Sequence, residues 1–133
     1  MKGETDLSRM LKGMTPVLHD AEFGYGLLPA AAGVPPGLTP FATVREAEGI
    51  TVIAPLAELM RHGIPHRAGF ACITLTLHSD LDAVGLTAAF ARALADAGLG
   101  ANVIAGLYHD HILTNWDRRD AAMACLTALS DRA

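Results

Sequence analysis

From Phe70 onward the apolar periodicity switches in the order strand, helix, strand, strand, helix, and no other feature narrows the fold as far. Phe70 to Leu77 (FACITLTL) alternates branched apolar and small residues, the pattern of a half-buried strand. Leu86, Phe90 and Leu94 then recur every fourth residue with Ala83, Ala91 and Ala97 close by, the apolar stripe of an amphipathic helix. Asp80 or Asp82 can cap that helix, Arg92 and Asp96 share its outer face, and Gly98 with Gly100 stops it. Val103-Ile104-Ala105 and Ile112-Leu113 flank the polar run Gly-Leu-Tyr-His-Asp-His and read as a β-hairpin with a site at its tip. Asn115 or Asp117 caps a last helix whose inner face is Ala122, Cys125, Leu126 and Leu129. The order is most of a ferredoxin-like βαββαβ unit. Its final strand is missing before Ala133, so the spare strands of the amino half are the expected donors.

The amino half has strands to spare. Thr5 or Asp6 caps a short helix with Leu7, Met10, Leu11 and Met14 on one stripe, ended by Gly13 and Pro16. Val17-Leu18-His19 and Phe23 to Leu28 read as strands. Pro29 to Pro40 (PAAAGVPPGLTP) is a loop, expected to cross a sheet edge rather than to form a flap. Phe41 to Ala47 and Ile50 to Ala54 are strands around the turn Glu48-Gly49. Pro55 suits a helix start, with Leu56, Leu59 and Met60 as the buried face. Ile64 to Gly69 is polar and small, the expected boundary, giving halves 1–66 and 67–133. Gly49-Ile-Thr-Val-Ile-Ala-Pro55 faintly echoes Gly100-Ala-Asn-Val-Ile-Ala-Gly106. The fold class expected is α+β: two interlocked ferredoxin-like units with about seven strands and four helices in all.

Composition bounds the function. Of 133 residues, 51% are hydrophobic and 18% charged, a globular balance. Aromatics are 5%, so Ala, Leu, Val and Ile must fill the core. Ten scattered basic residues and a net charge of −4 argue against nucleic acid as a partner. No apolar run reaches the roughly 20 residues of a membrane span, and a polar start argues against a leader, so a cytoplasmic protein is the default. Cys72 and Cys125 lie in apolar runs and read as buried small hydrophobes.

The stretches Leu81-Asp82-Ala83-Val84-Gly85-Leu86-Thr87 and Ala105-Gly106-Leu107-Tyr108-His109-Asp110-His111-Ile112-Leu113 resemble the glycine loop and hairpin of an ACT domain, the small-molecule-sensing module of aspartokinases and of the CASTOR arginine sensors. Gly3-Glu4-Thr5-Asp6-Leu7 through Val44-Arg45-Glu46 resembles the short α/β half that precedes such a domain in bacterial proteins. The resemblance implies an effector in the crevice between loop and hairpin, often at an interface between two units. Val84 and Gly85 then line one wall, and Gly106, Leu107, Tyr108, His109 and Asp110 the other, with Asp110 matching the family's aspartate. Two departures stand out. Ala105-Gly106 replaces the Ser-Thr of the family's hairpin, and His109 its threonine, removing hydroxyls that anchor a carboxylate in relatives.

The residues themselves support several readings. Free N–H groups at a helix start favour an anion near Gly85, which equally suits plain strand–helix packing. Asp110 can accept a ligand ammonium or hold its own turn. His78, His109, Asp110 and His111 together suggest a transition-metal site or a metal-assisted hydrolase, but alternation would turn Asp110 away from His109 and His111, and paired metal-ligand spacings are lacking. Ser79, between His78 and Asp80, makes a poor catalytic triad, and a phosphate-binding glycine loop is lacking. Trp116 is expected to staple the last helix, and Arg45 with Glu46 to form a solvated pair. The expectation is a non-catalytic regulatory module without cofactor that binds an amino acid or related carboxylate and pairs as a homodimer. The alternatives are the metal site and a purely structural module that pairs through strand edges.

Overall fold

A computed structural model of the chain describes residues 6–76 and 83–133. Its contacts divide them into two compact units: Asp20–Phe70 forms one, and residues up to His19 join Ala71–Ala133 in the other.

The carboxyl unit begins with α1 (Leu7–Gly13), whose first turn is closed by the Asp6 carboxylate accepting from the Arg9 N–H at 2.9 Å. Then come β1 (Pro16–Leu18), the latter half of β5 (His66–Leu75), α3 (Leu86–Asp96), β6 (Asn102–Ala105), β7 (Asp110–Asn115), a single 3-10 turn (Trp116–Arg118) and α4 (Arg119–Arg132). Strand order is β1-β5-β7-β6. β1 pairs antiparallel with β5, Val17 opposite Thr74, and so supplies the strand that the carboxyl pattern lacks. The expected donation from the amino half therefore holds. Ile73, Leu75 and Ile112 point from the sheet into one cluster with Met10, Leu11, Met14, Leu86, Phe90, Leu94, Ala122 and Leu126 from the helices. Removing a side chain such as Phe90, which is fully buried, costs about 3–5 kcal/mol in a close-packed core.

The Asp20–Phe70 unit contains β2 (Phe23–Leu28), β3 (Ala42–Glu46), β4 (Gly49–Pro55), α2 (Leu56–Arg61) and the first half of β5. Its strand order, β3-β4-β2-β5, is again ferredoxin-like, with the Pro- and Gly-rich stretch from Pro29 to Pro40 where a first helix would stand. That stretch is a crossing held down at two points: Leu38 is buried, and Arg61 donates to the Gly37 carbonyl at 3.2 Å. The face of β2 toward α2 carries Gly24 and Gly26. A Cβ on either would press into Leu59 at about 3 Å, so the two glycines let α2 sit close.

Several details differ from expectation. Met60 is 63% exposed, because the six-residue α2 is too short to bury more than Leu59 fully. The polar stretch from His66, within the expected boundary Ile64 to Gly69, forms the start of β5; its residues up to Gly69 are exposed, and Gly69 (φ 98°) accompanies a register shift against β2. The echo between residues 49–55 and 100–106 falls on dissimilar strands. β4 lies between β3 and β2, whereas β6 is at the end of its strand order. Glu46 accepts a hydrogen bond from Thr51 Oγ1 across the β3–β4 pair. No helix among the described residues is long and apolar enough to cross a membrane.

Candidate functional site

β5 ends at Leu75, and the chain re-enters the described structure just before α3. Gly85 is the N-cap of that helix, in the left-handed region at φ 96°, with no side-chain cap. The Asp80 and Asp82 expected as caps, with His78 and Ser79, lie outside the described residues. The backbone conformation calls for glycine here, and a side chain would also crowd Leu7. An L-residue is strained at this φ, and a Cβ would meet Leu7 Cδ2 at 3.3 Å. Val84 beside it is 83% exposed.

The hairpin turn is Gly106-Leu107-Tyr108-His109, closed by the Gly106 N–H donating to the His109 carbonyl at 2.9 Å. A Cβ on Gly106 would stand 2.9 Å from that same oxygen, so the closure demands glycine. Leu107 and Tyr108 are half exposed at the tip. Asp110 and His111, read from sequence as part of the turn, are the first two residues of β7, paired with Ala105 and Ile104. The run of ionisable residues made a long turn look natural, but the register carries the ladder to the edge of the four-residue tip.

Pleating then separates them. Ile112 packs in the helix-facing cluster with Leu86, the first residue of α3. Asp110, two residues earlier, lies on that same face, and His111 on the other. The His111 ring is fixed there by Thr74: Thr74 Oγ1 stands 2.9 Å from His111 Nδ1 and 2.8 Å from His19 Nε2. Thr74 is the second-last residue of β5 and His111 the second of β7, so the end of β5 and the hairpin tip occupy one end of this unit. The start of α3 and Asp110 thus belong to one face and one end of the fold.

Electrostatics follow burial. Partial burial pushes the Asp110 carboxyl above its usual range, with the His109 charge pulling the other way. Burial, then the like charges of His19 and His109, holds the His111 imidazole below its usual range. Burial drives the Cys72 thiol up to about 12, so it is an inert core residue. Among the described residues no three His, Cys, Asp or Glu side chains are grouped to hold a metal ion. Trp116 is covered by Arg119, whose guanidinium carbon lies 3.8 Å from the ring centre, a local staple.

A groove of about 450 Å³ opens elsewhere, in the Asp20–Phe70 unit, lined by Leu27, Leu28, Pro29, Glu48 and Pro65. It lies where the first strand of that unit ends and its β3–β4 turn begins, the counterpart of the Gly85 and hairpin region. The sequence points to no ligand-binding role for these residues, since Glu48 alone among them carries a polar side chain.

Two family models described as ACT domains match residues 2–71 and 67–128. The chain belongs to the ACT-domain family. Its ferredoxin-like units are two ACT domains in tandem. A solved Vibrio cholerae protein of unknown function, described as a possible transport protein, is 39% identical over 97% of this chain and 99% of its own, with a TM-score of 0.83. An Agrobacterium tumefaciens protein shares the fold at 14% identity, covering 88% of this chain and 89% of that one (TM-score 0.74). So does the regulatory subunit of aspartate kinase from Thermus thermophilus in its ligand-free form, at 11% identity, 86% and 97% coverage and a TM-score of 0.69. A comparison with curated proteins finds no match.

Proposed function

We propose that this tandem ACT protein is a non-catalytic regulatory module that binds an amino acid or related carboxylate between the Val84-Gly85 loop and the Gly106–Asp110 hairpin. The observation that carries the reading is the shared face and end of α3's first turn and Asp110. Leu86 and Ile112 pack in one cluster, and Asp110 is the next residue outward from Ile112 on that face. Gly85 caps α3 without a side chain, so in this reading the first-turn N–H groups receive a ligand carboxylate, and the helix dipole favours an anion there. Asp110 receives the ammonium as a charge-assisted bond, which lowers its raised pKa on binding. Leu107 and Tyr108 at the exposed tip supply apolar contact.

A fold shared with a kinase's regulatory subunit supports the idea that occupancy is read out by another protein, since binding biases an equilibrium only through differential affinity for its two states. In this reading the module acts as a homodimer paired through a strand edge. Among the described residues β6 is at the end of its strand order, bonded to β7 alone. Isothermal calorimetry against the twenty amino acids and their keto acids tests the proposal. Saturable heat with at least one member, abolished in Asp110→Ala, is expected. No heat with any member, or undiminished affinity in Asp110→Ala, contradicts it.

A further inference from the structure

On the face opposite the helices, the carboxyl unit holds two imidazoles joined through one hydroxyl. His19 Nε2 and His111 Nδ1 approach Thr74 Oγ1 at 2.8 and 2.9 Å, on three neighbouring strand ends, all partly buried. A threonine hydroxyl has one hydrogen. With both rings neutral, it donates to one ring nitrogen and accepts from the other. Adding one proton leaves this chain of bonds intact, because a doubly protonated ring donates. Adding a second forces both rings to donate into the same oxygen and turns the hydroxyl hydrogen away, with two cations facing each other across a single atom.

We propose that His19, Thr74 and His111 form a proton-sharing unit that holds one proton before it holds two, and that its charge state sets the hairpin turn. This rests on the reading of that turn as one wall of the ligand site, and it names the pH dependence of that site. The mechanical link is Gly106: a Cβ there would lie 3.5 Å from His111 Nε2, so the ring lies against the backbone that closes the turn. Among the described residues, the charged groups that act on His111 are His19 after β1 and His109 in the turn, and Cys72, two residues before Thr74, lies on the same face of β5 as Thr74. The cysteine remains a neutral thiol. Tyr108 belongs to the turn, Asp110 points to the other face, and Asp20 follows His19 in the chain. Ile104, opposite His111 on β6, and Val17, opposite Thr74 on β1, carry no charge. The like charges of His19 and His109 both resist protonation of His111, as burial does. The second proton is therefore the disfavoured one; when falling pH forces it on, the unit passes into its strained, doubly charged state and the turn moves with it.

Imidazole and backbone NMR of the ligand-free, full-length protein tests this without reference to any ligand. In the wild type, the amides of Gly106, Leu107 and Tyr108 are expected to titrate with the His111 midpoint. In His19→Gln that midpoint rises by about half a pH unit, the effect of removing one like charge at this separation. Thr74→Val changes the Nδ1 nitrogen shift of neutral His111 to that of an unbridged ring, while Thr74→Ser restores it. An identical His111 midpoint in the wild type and His19→Gln, or turn amides indifferent to it, overturns the proposal. Either result leaves the calorimetric test of ligand binding untouched, and a failed calorimetric test leaves the proton-sharing unit standing.

Discussion

Asp110 and His111 are consecutive residues that serve opposite faces of one sheet. Asp110 shares the face of Ile112, under the helices, while His111 is tied to Thr74 on the other side. Neighbours in a strand cannot converge on a single ion, which is why the polar cluster divides into a carboxylate on the helix-facing side of the sheet and an imidazole pair on the other.

The Asp110 carboxylate is placed at a cost to folding. Its pKa is raised in the folded chain, so the folded state disfavours its charged form. With a folded value above the unfolded one, the penalty is full above the raised value. It fades as pH falls from there to the ordinary carboxylate value of 3.8, and is absent below it. Asp110→Asn is therefore expected to raise the thermal midpoint at pH 7 and to leave it unchanged near pH 3. Thermal unfolding followed by circular dichroism at both pH values checks this, and a variant less stable at pH 7 speaks against it. Under the proposed function the same substitution weakens ligand binding, a conflict between stability and activity common at working sites.

Gly85→Ala is expected to destabilise the chain by about 1–2 kcal/mol, because an L-residue is forced into the left-handed region. The added methyl also meets Leu7. Leu7→Ala in the same background should recover the steric part and leave the backbone part. Urea unfolding of the two single variants and the double variant measures the coupling. Strict additivity would mean that Leu7 is not the obstacle.

Thr114 lies 1% exposed on the helix-facing side of β7, and its hydroxyl has no partner among the described residues. Replacing it with the isosteric valine removes a desolvated hydroxyl and keeps the volume. Thr114→Val is expected to stabilise the protein by about 1 kcal/mol in urea unfolding, within the range for an unsatisfied buried hydroxyl. A loss of stability would point to a buried water held by that hydroxyl.

Periodic segments were the most legible. Leu86, Phe90 and Leu94 on α3 and Ala122 with Leu126 on α4 are buried as their spacing requires. So was the shortage of one strand in the carboxyl unit, which identified the amino half as its donor. Register was not legible. Whether Asp110 is turn or strand depends on a pairing with Ala105 that no local pattern encodes. Nor could spacing reveal that His19 and His111, ninety-two positions apart, meet at Thr74, since a lone histidine after a short strand carries no signal. The left-handed Gly85 was hidden by two acidic residues just upstream that looked like better caps.

The central claim is a shared ligand-binding face between α3's first turn and the hairpin. Backbone amide NMR during titration with the amino-acid panel tests it most directly. The account predicts that one ligand shifts the amides of Gly85, Leu86 and Gly106 through Asp110 together, along a single saturation curve. Saturable shifts confined to the groove of Leu27, Leu28 and Glu48, with those amides unmoved, would contradict it.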